Sequence, residues 1–240
     1  METKCVRIIG AGLAGSEAAW QLVRRGIAVE LIEMRPHTMT KAHRSGKFAE
    51  LVCSNSFRGA SLTNAVGLLK EELKLLGSLV MEAALAAQVP AGGALAVDRL
   101  IFSDFIDSRL RNHPLVQVQS AEADDVPPAT RAQPVIVATG PLTSKKLASA
   151  IQRLCGEEQL AFFDAISPIL LSESLDHEKL FRQSRYDKGN GDDYLNIPLS
   201  ESEYYRFIDE VKAAEKFGGH DEVEADMVEN LRPFEGCMPI

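Results

Sequence analysis

No run of apolar residues in this sequence approaches the roughly 20 needed to span a bilayer. A strand-like segment begins almost at the first residue, with no secretory leader before it. The expectation is therefore a cytoplasmic protein with no membrane partner. The four cysteines, Cys5, Cys53, Cys155 and Cys237, lie far apart and form no C-x-x-C pair. That spacing argues against a disulfide framework and against a zinc site, and no metal is expected. Internal repeats and low-complexity tracts are also missing.

What is present is ordinary soluble composition: 240 residues, 45% hydrophobic and 25% charged, enough for one large core or two modest ones. The formal net charge of −8 would seem to exclude a polyanionic partner, but its distribution matters more than its sum. Residues 201 to 229 hold ten acids against three bases and so carry nearly the whole imbalance. Residues 35 to 58 run the other way, with Arg35, Lys41, Arg44, Lys47 and Arg58 against Glu50 alone, and with His37 and His43 besides. A basic loop is usually solvated surface; it is also where a phosphate backbone docks.

The chain is organised around Val6-Arg7-Ile8-Ile9-Gly10-Ala11-Gly12-Leu13-Ala14-Gly15 and the residues that follow as far as Arg35. A short buried strand runs into glycines spaced G-x-G-x-x-G, then a helix from Ser16 to Arg25, then a second strand Ala28 to Ile32 ending on Glu33. Gly10 permits the tight turn, Gly12 lets a pyrophosphate approach the backbone, and Gly15 lets the helix pack closely on the strand. The pyrophosphate would sit at the helix N-terminus, facing free N–H groups and the positive end of the macrodipole. Glu33 stands where a carboxylate accepts hydrogen bonds from ribose hydroxyls. Strand, helix, second strand and acid in register predict a dinucleotide site, with FAD and NAD both open on this evidence.

Further along, a long loop runs from Met34 to Thr63, and loops of that length inside a compact domain are usually functional or mobile. Asn64 is a helix cap, and Val66, Leu69, Leu73 and Leu76 on one helical face read as core. Leu79 to Ala87 continues as helix, Val89 to Gly93 is a turn, Asp98 caps a helix from Arg99 to Arg111, and Leu115 to Gln119 is a short strand. Pro134 to Gly140 reads as a strand buried on both faces. A helix from Thr143 to Cys155 follows. Beyond Phe162 the character changes: Ile166 to Leu171 is strand-like, Tyr186 to Gly191 a charged turn, Asp193 to Pro198 extended. Ser200 to Ala214 is a helix whose cap pairs Ser200 with Glu203.

The segment ending Ala138-Thr139-Gly140, about a hundred residues beyond an N-terminal fingerprint, resembles the second flavin-domain segment of glutathione-reductase-like FAD proteins. In that resemblance the small residues let the chain pass close to the dinucleotide, which favours FAD. More widely, the sequence resembles the folate- and FAD-dependent tRNA uracil-5-methyltransferases, the related segments covering the chain from end to end. They include Gly10 to Glu17, Glu50 to Ser56, Asn64 to Glu72, Val89 to Arg99, Val137 to Ser144, Ser184-Arg185-Tyr186, Asp193 to Asn196 and Phe234 to Ile240. The Cys53 and Cys237 segments together are the most specific of these.

The resemblance implies an α/β fold: a glutathione-reductase-like, Rossmann-type FAD-binding domain over residues 1–175 and the start of an inserted α+β substrate domain over 176–240. It implies methylation of C5 of the T-loop uridine of tRNA. Methylenetetrahydrofolate would be the carbon donor, and FAD, reduced by NAD(P)H, would supply electrons and relay the carbon. Uracil C5 becomes nucleophilic only when a thiolate adds at C6, and a base must later take the C5 proton. Cys53 and Cys237 are the implied pair, their two roles unassigned. Arg44, Lys47 and Arg58 share the Cys53 loop, where positive neighbours favour a thiolate and would attract tRNA. Cys5, in a strand, and Cys155, at a helix end, read as packing residues.

Family members are considerably longer, and the apolar ending Phe234 to Ile240 reads as a cut, so the chain is expected to be the N-terminal part of such an enzyme. Two alternatives stand beside this reading: another flavin-dependent tRNA modifier of the glucose-inhibited-division type, and a non-catalytic FAD-binding fragment. A homodimer is one assembly the sequence allows.

Overall fold

The computed structural model describes residues 5–40, 42–156, 170–184 and 191–215. The chain forms two compact units, one of residues 1–89 with 95–162, the other of residues 90–94 with 163–240.

In the first unit, β1 (Cys5–Ile9) leads into α1 (Leu13–Val23) and β2 (Ala28–Glu33). Then come β3 (Ser56–Gly59), α2 (Ala65–Leu75), α3 (Leu79–Ala86), β4 (Gln88–Val89) and β5 (Ala94–Val97). The unit closes with α4 (Arg99–Arg111), β6 (Val116–Ser120), β7 (Val135–Val137) and α5 (Lys145–Cys155). The main sheet has the order β6-β2-β1-β7 and is parallel throughout, with Ile8 opposite Leu31 on one side and Ile136 on the other. Ile8, Val29 and Leu31 are buried, as a central parallel strand pair covered by helices requires. α1, α3 and α4 pack on one another, and Phe102, Ile106 and Leu110 of α4 carry the core between them. Glu17 of α1 accepts bonds from the Ser78 hydroxyl and the Val80 amide, and Trp20 Nε1 donates to the Gly77 carbonyl, so the α3 entry is pinned to α1.

Several expectations are corrected. α1 starts at Leu13, not Ser16, because Gly12 is itself the N-cap, and it stops at Val23, followed by Gly26 in the left-handed region. The long loop contains β3, and the turn after Val89 leads into β5; the two join β4 in a small sheet of order β3-β5-β4. β7 is not buried on both faces: it is an edge strand paired with β1, and Val137 is 38% exposed. The α2 leucines are not all core. Leu69 and Leu76 are exposed, Val66 and Leu73 are half-buried, and the residues turned inward are Gly67 and Lys70. Cys155 is exposed and Cys5 only half-buried. Asn64 and Asp98 do cap α2 and α4, accepting from the amides of Gly67 and of Leu100 and Ile101.

The second unit holds β8 (Phe181–Arg182) antiparallel to β9 (Leu195–Asn196), then α6 (Glu201–Ala213). Asp193 accepts from the Gly92 amide and the Tyr194 hydroxyl donates to the Ala91 carbonyl, tying the 90–94 segment to this hairpin. Ser200 and Glu203 form the expected capping box. Leu170 and Leu171 are not in a strand; residues 166–169 and 186–190 lie outside the described residues. Among the described residues no helix is long and apolar enough to cross a membrane.

Candidate functional site

The three glycines divide the work of the first turn. Gly10 sits at φ +97, and a Cβ there would lie 2.7 Å from the Ala138 carbonyl oxygen. A Cβ on Gly15 would come within 1.8 Å of the Gly10 carbonyl oxygen, so this glycine sets how closely α1 lies on β1. Around Gly12 a Cβ would meet nothing within 4 Å. The open side of the turn is thus at Gly12, the N-cap of a helix with no side-chain cap and no acid in its first turn. Such a helix end offers bare amides and a positive partial charge to an anion.

That opening belongs to a cavity of about 370 Å³ at the C-terminal ends of β1, β2 and β7. Its walls include Gly12, Glu33, Thr139 and Gly140 from the strand ends, and His43 and Val52 from the loop after β2. Ten positions are expected to hold a dinucleotide: the turn Gly10, Ala11, Gly12, Leu13, Ala14 and Gly15, then Glu33, Ala138, Thr139 and Gly140; eight of them line the cavity, and Ala11 and Gly15 do not. Ala11 is fully buried, and its backbone is clamped on both sides. Its amide donates to Glu33 Oε2 at 2.8 Å, and its carbonyl accepts from the Ala49 amide at 2.8 Å and the Ser16 hydroxyl at 3.1 Å. A larger hollow of about 750 Å³ beside Trp20 and Arg109 contains none of the fingerprint residues.

Glu33 is 5% exposed and does more than the sequence suggests. Its Oε1 accepts from the Arg35 amide at 3.1 Å and from Arg35 Nε at 2.8 Å. Burial pushes its carboxyl up, but the Arg35 side chain and the amides of Ala11 and Arg35 outweigh that and hold it below the usual carboxylate range. Arg35, 2% exposed, also reaches Glu50 Oε2 through Nη1 at 3.4 Å. Glu50 in turn accepts from the amides of Arg44 and Ser45 and from the Ser45 hydroxyl. Burial raises its carboxyl, and those three donors with nearby His43 bring it below its ordinary value.

The remaining expected residues fall in different places. Cys53 is exposed and is not itself in the wall, but its neighbour Val52 is. Cys237 lies outside the described residues. Lys47 is ion-paired with Asp104, and both side chains are exposed. Arg58 stands in the left-handed backbone region at φ +65. Sequence reasoning missed Arg35, Glu50, His43 and Thr40 as parts of the site. Arg35, Glu50 and His43 registered in the charge count of the loop, and Glu50 also in a segment of the resemblance, but nothing in their spacing reports that Arg35 and Glu50 meet. His43 Nδ1 lies 2.7 Å from Thr40 Oγ1, and both residues line the cavity. Among the described residues no group of three or more His, Cys, Asp or Glu side chains is placed to hold a metal ion.

A sequence model of the family described as Glucose inhibited division protein A matches residues 5–239. The chain belongs to this family. Within it, the chain is 58% identical over 233 residues to a methylenetetrahydrofolate--tRNA-(uracil-5-)-methyltransferase TrmFO of Geotalea uraniireducens, covering 97% of this chain and 51% of that protein. It is 53% identical over 237 residues to the protein of the same name from Listeria innocua, covering 99% of this chain and 52% of the other. The chain spans about half the length of the curated relatives it matches. Among solved structures, Aquifex aeolicus GidA is similar at 17% identity with a TM-score of 0.46, over 58% of this chain and 25% of that one. The parallel sheet and the cavity at its strand ends are features of this chain's own structure.

Proposed function

We propose that this chain is the flavin-binding part of a methylenetetrahydrofolate- and FAD-dependent tRNA (uracil-5-)-methyltransferase that acts on the T-loop uridine, with NAD(P)H as reductant. The observation that carries the reading is the shared cavity wall: the fingerprint turn, Glu33, Thr139 and Gly140 enclose one space with Val52, next to Cys53. The names of the relatives support the methyltransferase over another tRNA-modifying flavoenzyme of the same family.

The residues fit a dinucleotide. The uncapped α1 terminus and the open face of Gly12 suit a pyrophosphate, and Thr139 and Gly140 let the chain pass near it. Three of Glu33's acceptor positions are used by Ala11 and Arg35, which leaves one for a ribose hydroxyl. When bound, FAD supplies the electrons that bring the transferred carbon to a methyl group. Cys53 and Cys237 supply the thiolate and the acid/base. The thiolate sulfur bonds to uracil C6, and the displaced electron pair makes C5 nucleophilic. C5 then bonds the methylene carbon. As the base takes the C5 proton, the bond from that carbon to its folate carrier breaks, with the electron pair going to the carrier nitrogen. A hydride equivalent adds to the exposed methylene carbon, and the C6–S bond breaks as the ring double bond returns. Arg44, Lys47 and Arg58 are the loop cations that would meet tRNA phosphates. The second unit, residues 90–94 with 163–240, would begin the inserted substrate domain.

The test is to add FAD to the purified 240-residue chain and record the visible absorption of the protein after gel filtration. A retained flavin spectrum is expected; a colourless protein would overturn the cofactor assignment for this chain. In the complete enzyme, Cys53→Ala and Cys237→Ala should each abolish methylenetetrahydrofolate-dependent methylation of a T-loop transcript while keeping flavin, and Cys155→Ala should leave both methylation and flavin intact. Full turnover in Cys53→Ala would exclude the thiolate mechanism.

A further inference from the structure

Between the cavity and the Cys53 loop lies a buried charged group that the dinucleotide reading does not use. Arg35 is 2% exposed and has two carboxylates within reach, one on each side. Its Nε donates to Glu33 at 2.8 Å, and Glu33 holds the Ala11 amide of the fingerprint turn. Its Nη1 reaches Glu50 at 3.4 Å and the Ser45 carbonyl at 3.5 Å. Glu50 carries the Arg44–Ser45 turn on three hydrogen bonds and stands three residues before Cys53. A guanidinium is planar and its donors are fixed relative to one another, so a movement at Nε is a movement at Nη1. The bond to Glu33 is short and that to Glu50 long, so the fork is seated on the ribose side and slack on the loop side.

We propose that Arg35 is a positioning residue that couples occupancy of the dinucleotide cavity to the setting of the loop that presents Cys53. A ribose hydroxyl that takes the position left open on Glu33 Oε2 shares the carboxylate's charge and weakens its hold on Arg35 at Oε1, and the guanidinium turns toward Glu50. The tightened Arg35–Glu50 pair then draws in the Arg44–Ser45 turn. The backbone bond from Ala49 to Ala11 keeps the base of the loop fixed, so the motion is delivered to the residues around Cys53. The proposal rests on the dinucleotide reading of the cavity.

The experiment is site-resolved alkylation of the chain by iodoacetamide, followed by mass spectrometry, with and without saturating FAD. In the wild type, FAD is expected to change the Cys53 rate about fivefold or more, the lower end of ordinary coupling between sites, and to leave exposed Cys155 unchanged. Arg35→Lys, which keeps the charge but not the fork, and Glu50→Gln, which weakens the far end, should lose that change when each is brought to its own saturation with FAD, whatever shift in FAD affinity they show. Simple shielding of Cys53 by the flavin would survive both substitutions, so an undiminished effect in both variants would overturn the proposal. A wild type that binds FAD with no change at Cys53 would overturn it as well, while leaving the cofactor reading intact. A wild type that takes up no FAD would refute the cofactor reading and this inference with it.

Discussion

The fingerprint glycines give a prediction in which stability and ligand binding separate by position. Gly15→Ala would gain the helix preference of alanine over glycine, about 0.5–1 kcal/mol. It would also place a Cβ 1.8 Å from the Gly10 carbonyl oxygen, a backbone atom that cannot swing aside. α1 must then lift off β1, and overpacking of that kind costs about 1–3 kcal/mol or more, so the net change is destabilising. Gly10→Ala combines a left-handed backbone, costing about 1–2 kcal/mol for a residue with a Cβ, with a 2.7 Å clash against Ala138, and should be the worst of the three. Gly12→Ala differs in kind. Its backbone is extended at φ −68, its Cβ meets nothing, and the stiffer unfolded chain offsets the poorer N-cap, so stability should change by less than about 0.5 kcal/mol. That Cβ nevertheless occupies the approach to the α1 amides, and FAD affinity should fall about tenfold or more, as expected when charge-assisted hydrogen bonds are lost. Urea unfolding followed by circular dichroism, paired with FAD titration, reads both axes. Gly15→Ala as stable as the wild type, or Gly12→Ala as destabilised as Gly15→Ala, would refute the reasoning.

Two other substitutions test the buried charges. Glu33→Gln leaves the Arg35 guanidinium facing a neutral partner and should cost on the order of 3 kcal/mol, the lower end of what breaking a buried pair costs. Because the Glu33 and Glu50 carboxyls are both held below their ordinary values, the stability they contribute is complete above about pH 4.3 and is lost as pH falls through their folded-state values. An acid unfolding curve should therefore be flatter in Glu33→Gln, and an unchanged curve would contradict the pairing. Lys70 is buried with its ammonium on the Gly59 and Val66 carbonyls, and burial, then Arg58, lowers its affinity for a proton. The folded chain therefore releases that proton before the unfolded one, so stability should rise with pH up to about 10.4, the ordinary lysine value. Lys70→Met should remove this rise and, by leaving Gly59 without its donor, cost about 1–3 kcal/mol at neutral pH; a rise that persists in the variant would exclude Lys70 as its source.

What was legible in the sequence is what is made by near neighbours along the chain. The β1–α1–β2 unit, the caps at Asn64, Asp98 and Ser200, and the cavity-facing glycines depend on residues a few positions apart, and residue type reports them directly. β3 and β5 were not legible: the partner of β3 is the remote β5, and the nearer partner of β5, β4, is only two residues long and shows no alternation. Helix α2 shows why periodicity alone misleads. The leucine stripe marks a helical repeat but does not say which side the protein touches. The inward side is the one carrying Gly67, where a Cβ would come 1.9 Å from the Ser61 carbonyl oxygen of the preceding loop, and Lys70, whose ammonium meets the Gly59 carbonyl. A helix held that closely through its glycine face turns Leu69 and Leu76 outward and Lys70 inward. The same limit applies at the site. That Glu33 would face the cavity could be read from its position at the end of β2, but its grip on Ala11 and Arg35 could not. A carboxylate that serves only the ligand leaves the loop beyond it independent; one that also holds Arg35 makes the first turn of the fold and the Cys53 loop answer to the same cavity.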